Sequence, residues 1–203
     1  MPRPRTKTQR DRSLALLRRK GVARSRDLAE LGVARTTLQR LESEGALERV
    51  GRGLYRLADA NLTEFHDLAV AAARVPRGVI CLLSALRFHD LGTQNPREVW
   101  VALAPGDRRP VGESPPLRVV RFSGAALKSG IAAHRIEGID VRVTSKAKTV
   151  ADCFKYRNKI GLDVAIEALR DYRRGRGSLD ELWRMAEVCR VARVIRPYVE
   201  AGV

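Results

Sequence analysis

The order of apolar spacings in residues 25–57, SRDLAELGVARTTLQRLESEGALERVGRGLYRL, constrains this chain more than any other stretch. Ser25 can offer its hydroxyl to a free backbone N–H at a helix start. Leu28 and Leu31 lie three apart, so the pattern predicts that they share one buried face. Gly32 accepts the left-handed backbone that ends such a helix, and Val33 is the apolar plug of the turn. A second helix begins near Ala34 or Arg35, with Leu38 and Leu41 inward and Thr37 beside them, and ends at Gly45. Residues 47–50 and 54–57 are short apolar runs around Gly51-Arg52-Gly53, which predicts a two-stranded hairpin with a flexible basic tip. Helix, tight turn, helix and hairpin is the order of a winged helix-turn-helix.

The outward side of the second helix carries Arg35, Thr36, Gln39, Arg40 and Ser43, all able to donate hydrogen bonds to bases or phosphates. Arginine can bind guanine bidentately and glutamine can bind adenine bidentately, each good pair giving about 1–3 kcal/mol of discrimination. Arg52 at the hairpin tip can meet a phosphate or enter a minor groove. Arg24 and Arg26, flanking Ser25, complete the candidate DNA-binding set. Two other readings share the pattern. A winged helix can dock a protein, and any small helical module needs leucines at helical spacing.

Charge agrees with a polyanionic partner. The chain carries a net +16, and residues 1–60 hold 15 Lys and Arg against 7 Asp and Glu. Net positive charge per residue is more than twice as high there as in the rest, which concentrates polyanions nearby. Arginine outnumbers lysine, as GC-rich coding also produces, and charge alone does not separate DNA from RNA or from an acidic protein. Residues 1–9, MPRPRTKTQ, lack apolar periodicity and read as a basic arm, either tracking a minor groove or idle. The sequence has no secretory-type apolar stretch and no run of 18 apolar residues, so a cytoplasmic chain with no membrane partner is expected. Cys81, Cys153 and Cys189 are far apart, as are His66, His89 and His134. No spacing suggests a metal site, and no cofactor is expected.

The fold class expected is α+β: a winged helix-turn-helix over residues 1–60, then a mixed α/β domain with a helical C-terminal part over 61–203. Thr8-x-x-Asp11 reads as a capping box for a first helix ending at Lys20, with Leu14 and Leu17 inward. Thr63 is expected to cap a helix over 64–74. Residues 79–83 form an apolar run, and Ser84 is expected to cap a helix carrying Leu86 and Leu91. Strands are read at 98–103 and 117–122, separated by the polar loop 104–116, and a hairpin at 131–136 and 139–143 turns on Glu137-Gly138. Helices follow: one capped by Thr144 or Ser145, one at about 162–173 with Leu162, Ala165, Ile166 and Leu169 on one face, one capped by Ser178, and a last one near Pro197.

Catalytic patterns are weak. No Asp or Glu is followed at the second position by Lys, as a restriction-type metal site would need; Asp140-x-Arg142 and Asp171-x-Arg173 come nearest. Gly177-Ser178 is followed too soon by Asp180 and Glu181 for a nucleotidyltransferase. Ser145-x-x-Lys148 lacks the partner motifs of a serine acylase and reads as a capped helix start with an exposed lysine. Gly51-x-Gly53 and Gly175-x-Gly177 are too short for a phosphate loop. A binding protein, not an enzyme, is expected.

Three segments, GALERVGRGLYRL, ICLLSALRFHDLG and VTSKAKTVADCFKYR, resemble the AbiEi-type antitoxin and transcriptional regulator family of bacterial abortive-infection systems. The resemblance implies an N-terminal winged helix that binds an inverted-repeat operator and represses its own operon. It implies a C-terminal domain that counteracts a nucleotidyltransferase toxin encoded beside it. Only the winged-helix roles carry over to positions here: Arg35, Thr36, Gln39 and Arg40 on the recognition helix and Arg52 on the wing. A monomer or weak dimer assembling cooperatively on double-stranded DNA fits, as no leucine heptad argues for a zipper. The alternatives are an adaptor that docks an acidic protein and a regulator with no toxin partner.

Overall fold

The computed structural model describes residues 7–110 and 114–202. Helices and two sheets make an α+β chain that divides into two compact units. The first contains the described residues of Met1–Pro76, Pro110–Pro115 and Arg135–Asp140. The second contains those of Arg77–Arg109, Pro116–His134 and Val141–Val203. The first therefore extends past residue 60, where the sequence suggested a boundary. Residues 1–6 of the basic arm and 111–113 of the polar loop lie outside the described residues.

The first unit runs α1 (Gln9–Lys20), β1 (Val22–Arg24), α2 (Ser25–Ala29), α3 (Arg35–Ser43), β2 (Leu47–Gly51), β3 (Leu54–Leu57) and α4 (His66–Arg74). Thr8 and Asp11 form the expected capping box, with Asp11 N donating to Thr8 Oγ1 at 3.1 Å and Thr8 N to Asp11 Oδ2 at 3.0 Å. The antiparallel sheet has the order β1-β3-β2, with Ala23 opposite Tyr55 and Leu47 opposite Leu57. Leu16, Leu17, Leu28, Val33, Leu38, Leu41, Leu47 and Tyr55 share one core cluster. Local expectations fail at three places. Ser25 lies inside α2 and does not cap it. The carboxylate of Asp27 instead accepts from Arg24 N, and Ser25 N donates to Gly53 O at 2.8 Å. Leu31 is 39% exposed because α2 ends at Ala29 and the chain has already turned, leaving Val33 as the buried plug. The helix after Thr63 starts only at His66; Thr63 Oγ1 accepts from Phe65 N and does not bond the helix proper.

The chain crosses itself closely in this unit. Glu137 and Gly138 both have positive φ, the backbone of a tight hairpin turn. A Cβ at Gly21 would lie 1.4 Å from Glu137 O, and one at Gly138 would lie 2.7 Å from the Lys20 carbonyl carbon. Only glycine fits either side of the crossing.

The second sheet has the order β6-β5-β4-β8-β7, formed by β4 (Val79–Ile80), β5 (Val99–Leu103), β6 (Leu117–Arg121), β7 (Ile131–Ile136) and β8 (Ile139–Thr144). Its helices are α5 (Leu82–His89), α6 (Ala125–Lys128), α7 (Lys146–Lys155), α8 (Arg157–Ile160), α9 (Leu162–Arg174), α10 (Leu179–Val188) and α11 (Ala192–Glu200). The run 79–83 is strand only to Ile80, since Leu82 (φ +49) turns the chain into α5 with Cys81 at its N-cap. Ser84 is thus inside α5, and its hydroxyl accepts from Trp100 N at 2.9 Å. Ser145 and Ser178 cap α7 and α10 through their hydroxyls. Leu162, at the first turn of α9, is 38% exposed, while Ala165 and Leu169 are buried. Lys148, expected at the surface, is fully buried on α7, which packs against α5, α9 and α10. Its charge is met by Asp152 one turn on. Among the described residues, no helix is long and apolar enough to cross a membrane.

Candidate nucleic-acid interface

The outward face of α3 exists because its inward face is committed. Leu38 and Leu41 are buried, while Arg35, Thr36, Gln39, Arg40 and Ser43 are exposed one or two positions away. The first turn is held from α1, where Gln9 Oε1 accepts from Ala34 N at 2.9 Å and from Thr37 Oγ1 at 2.6 Å. Two otherwise open donors at the start of α3 are thereby satisfied without a side-chain cap of its own.

Beside α3, the β2–β3 hairpin and the start of α2 enclose a groove of about 500 Å³. Val33, Leu38 and Tyr55 contribute apolar lining. Arg26, Arg35, Gln39, Arg49 and Arg52 contribute polar lining, together with one carboxylate, Glu42. Of the residues expected from sequence, this groove gathers Arg26, Arg35, Gln39 and Arg52. Thr36, Arg40 and Ser43 lie on α3 outside it, and Arg24 points elsewhere, donating to Ala73 O from Nε at 2.9 Å and also from Nη2. Burial, and next to it the like charge of Arg26, lowers the Arg24 pKa, with Asp27 opposing them.

Two expected donors are already engaged. Ser43 Oγ donates to Arg40 O at 2.8 Å, so its hydroxyl hydrogen is spent within the helix. Arg40 Nε lies 3.5 Å from Glu44 Oε1, and the other Glu44 oxygen pairs with Arg10 at 2.5 Å. Arg49 and Glu42 were not singled out from sequence. Arg49 precedes a register shift in β2 between Arg49 and Gly51, so strand alternation does not assign its face. Its position just before Gly51-Arg52-Gly53 was the available signal.

Among the described residues, no group of three or more His, Cys, Asp or Glu is placed to hold a metal ion. All three cysteines are free and buried.

Residues 11–58 match the family model of the AbiEi antitoxin transcriptional regulators. That is the family the sequence resembles, and the match contains the first of the three segments that carry the resemblance. The other two segments lie beyond the matched residues. No curated protein matches the chain. The fold is similar to that in the crystal structure of RV2827C protein from Mycobacterium tuberculosis, with a TM-score of 0.59 and 19% sequence identity, over 90% of this chain and 72% of that one.

Proposed function

Starting from the match of residues 11–58 to AbiEi antitoxin transcriptional regulators, we propose that the first unit is a winged helix-turn-helix that binds double-stranded DNA. In this reading α3 is the recognition helix and the β2–β3 hairpin is the wing. The chain represses its own promoter at an inverted-repeat operator. The second unit supplies an antitoxin-type activity against a toxin encoded in the same operon, and the protein works in the cytoplasm. The observation that carries the reading is the pairing of an exposed polar α3 face with a basic hairpin tip across one groove.

The proposed contacts divide by chemistry. Arg35 and Gln39 stand at the groove with planar donor sets suited to guanine and adenine edges. Arg40 joins them after exchanging Glu44 for a base or phosphate. Arg26, Arg49 and Arg52 surround the groove with charge suited to backbone phosphates. Two copies on an inverted repeat place their recognition helices about 34 Å apart, by weak dimerisation or by cooperative assembly on the DNA.

Equilibrium binding to the duplex upstream of the gene tests this. Arg35→Ala and Gln39→Ala are expected to lose about 1–3 kcal/mol of discrimination between that duplex and a scrambled one. Arg52→Ala should weaken both duplexes alike. Equal affinity of the unaltered protein for the scrambled duplex would remove the specific-repressor reading.

A further inference from the structure

We propose that Glu42 determines specificity: its carboxylate accepts a hydrogen bond from the exocyclic amino group of a cytosine in the major groove of the bound duplex. This rests on the reading of α3 as a recognition helix and names the base that one further side chain of that helix takes.

Arg35, Gln39 and Glu42 follow one another at spacings of four and three, so they form one row along α3. All three are exposed, and all three line the groove beside the hairpin. Thr36, Arg40 and Ser43 repeat the same spacing in a neighbouring row outside the groove. At a rise of about 1.5 Å per residue the first row is about 10 Å long, the length of about three base-pair steps of 3.4 Å. It therefore offers a guanidinium fork, an amide and a carboxylate to neighbouring base pairs. The first two match guanine and adenine edges. Cytosine is the base whose major-groove edge shows a donor and no acceptor, and a carboxylate, which only accepts, is its match. The same charge repels O6 and N7 of guanine, N7 of adenine and O4 of thymine, so the selection is made by repulsion as well as attraction.

Nothing in the fold uses this carboxylate. Among the described residues it makes no hydrogen bond or ion pair, although Arg26, Arg35, Arg49 and Arg52 line the same groove. Arg49 Nε donates instead to Gly51 O at 3.3 Å, and Arg26 Nε lies 3.6 Å from Asp27 Oδ1. Glu44, two residues on, is by contrast held between Arg10 and Arg40. Glu42 also stands in the last turn of α3, where the negative end of the helix dipole disfavours an acidic side chain. Neither pairing nor helix stability accounts for a glutamate at this position. The four arginines keep the groove attractive to DNA with one carboxylate inside it.

The test uses the full chain and the duplex upstream of the gene, varied one base pair at a time at fixed salt. The unaltered protein should prefer cytosine by about 5-fold to 150-fold at one position of the half-site, and Glu42→Ala should lose that preference alone. That position should neighbour the one relaxed by Gln39→Ala and lie farther from the one relaxed by Arg35→Ala. A second arm alters only the DNA. N4-methylcytosine at that position keeps its Watson–Crick N–H and loses the amino hydrogen that faces the major groove. It should weaken the unaltered protein and leave Glu42→Ala unaffected. A base profile unchanged in Glu42→Ala overturns the proposal, as does loss of a preference for a base other than cytosine. Equal tightening of every duplex by Glu42→Ala also overturns it, because the carboxylate would then only repel the backbone. If the unaltered protein binds all duplexes alike, the parent reading falls as well; specific binding with the profile intact in Glu42→Ala removes only the role of Glu42.

Discussion

Replacing Lys148 by Met asks what the second core is built around. Lys148 and Asp152 sit one turn apart on α7 with side-chain exposures of 0% and 1%. The ammonium donates to both carboxylate oxygens at 2.5 Å and lies 4.6 Å from the centre of the Phe122 ring. Cys189 Sγ donates to Asp152 Oδ1 at 3.3 Å. Burial raises the Asp152 pKa, and Lys148 pulls against that without prevailing. Methionine fills most of the lysine's volume, so cavity effects are secondary. What changes is that the buried carboxylate keeps only a thiol. Removing one partner of a buried pair costs about 3–5 kcal/mol, against about 0–1 for an exposed pair. Trp100 and Trp183, the only two tryptophans of the chain, both belong to this unit, so urea unfolding followed by their fluorescence reads it alone. Lys148→Met should lose about 3–5 kcal/mol, and Lys148→Met/Asp152→Leu should recover most of it, since an apolar replacement of a whole buried pair is often neutral or stabilising. A loss below about 1 kcal/mol for the single variant would refute the argument, as would a double variant no more stable than either single.

Glu137→Gln should flatten the acid sensitivity of the first unit. Burial pushes the Glu137 carboxyl up, but hydrogen bonds from His66 and Thr63 outweigh it and hold the pKa below its ordinary value. A depressed folded pKa stabilises above the unfolded value of about 4.3, and the contribution is lost as pH falls through the folded one, which NMR of the α4 amides during acid titration would follow. The thiols should be inert in the folded chain: burial raises Cys81 and Cys153 well above their ordinary value and Cys189 to about 12. An aromatic disulfide reagent near pH 8 should therefore label none until denaturant is added and then all three. Gly138→Ala should destabilise the first unit by about 1–3 kcal/mol or more, from positive φ and from the Lys20 and Gly21 backbone on which the new Cβ would press. Gly106→Ala, which meets open space, should change little when both variants are compared with the unaltered chain by amide hydrogen exchange.

Elements written in local chemistry were legible. The Thr8 capping box, the Ser178 cap and the Glu137-Gly138 turn each need only neighbours within four residues, and each stands where the sequence put it. Elements made by distant partners were not. β1 is three residues long and exists because β3 offers it a ladder. Residues 79–83 read as one apolar run, yet the left-handed backbone at Leu82 divides strand from helix. Lys148 and Asp152 have the spacing of an exposed helix pair, and only α5, α9 and α10 packing around α7 bury them. The interface divides in the same way. Polar periodicity marks the α3 face, whereas Arg49 lines the groove beside it through a strand irregularity.

The proposed DNA face is not uniformly basic, and that has a measurable consequence. Glu44 bridges Arg10 and Arg40 from the end of α3, with all three side chains 41–63% exposed. An arginine so engaged must leave a carboxylate before it can reach a phosphate or a guanine, and the carboxylate itself repels the duplex. Exposed pairs of this kind are weak, so exchange is open, but the negative charge stays on the face after it. Glu44→Gln removes that charge and frees both arginines without touching the buried leucines of α3. It should tighten binding to upstream and scrambled duplexes together. The log–log salt slope should steepen by about 0.9 for each arginine that gains a phosphate. If Arg40 instead reads a base, the upstream duplex gains more than the scrambled one, and Arg40→Ala cancels that extra gain in the double variant. Affinity that stays the same in Glu44→Gln would place Arg10 and Arg40 outside the interface and confine recognition to the groove between Arg35, Gln39 and the hairpin tip.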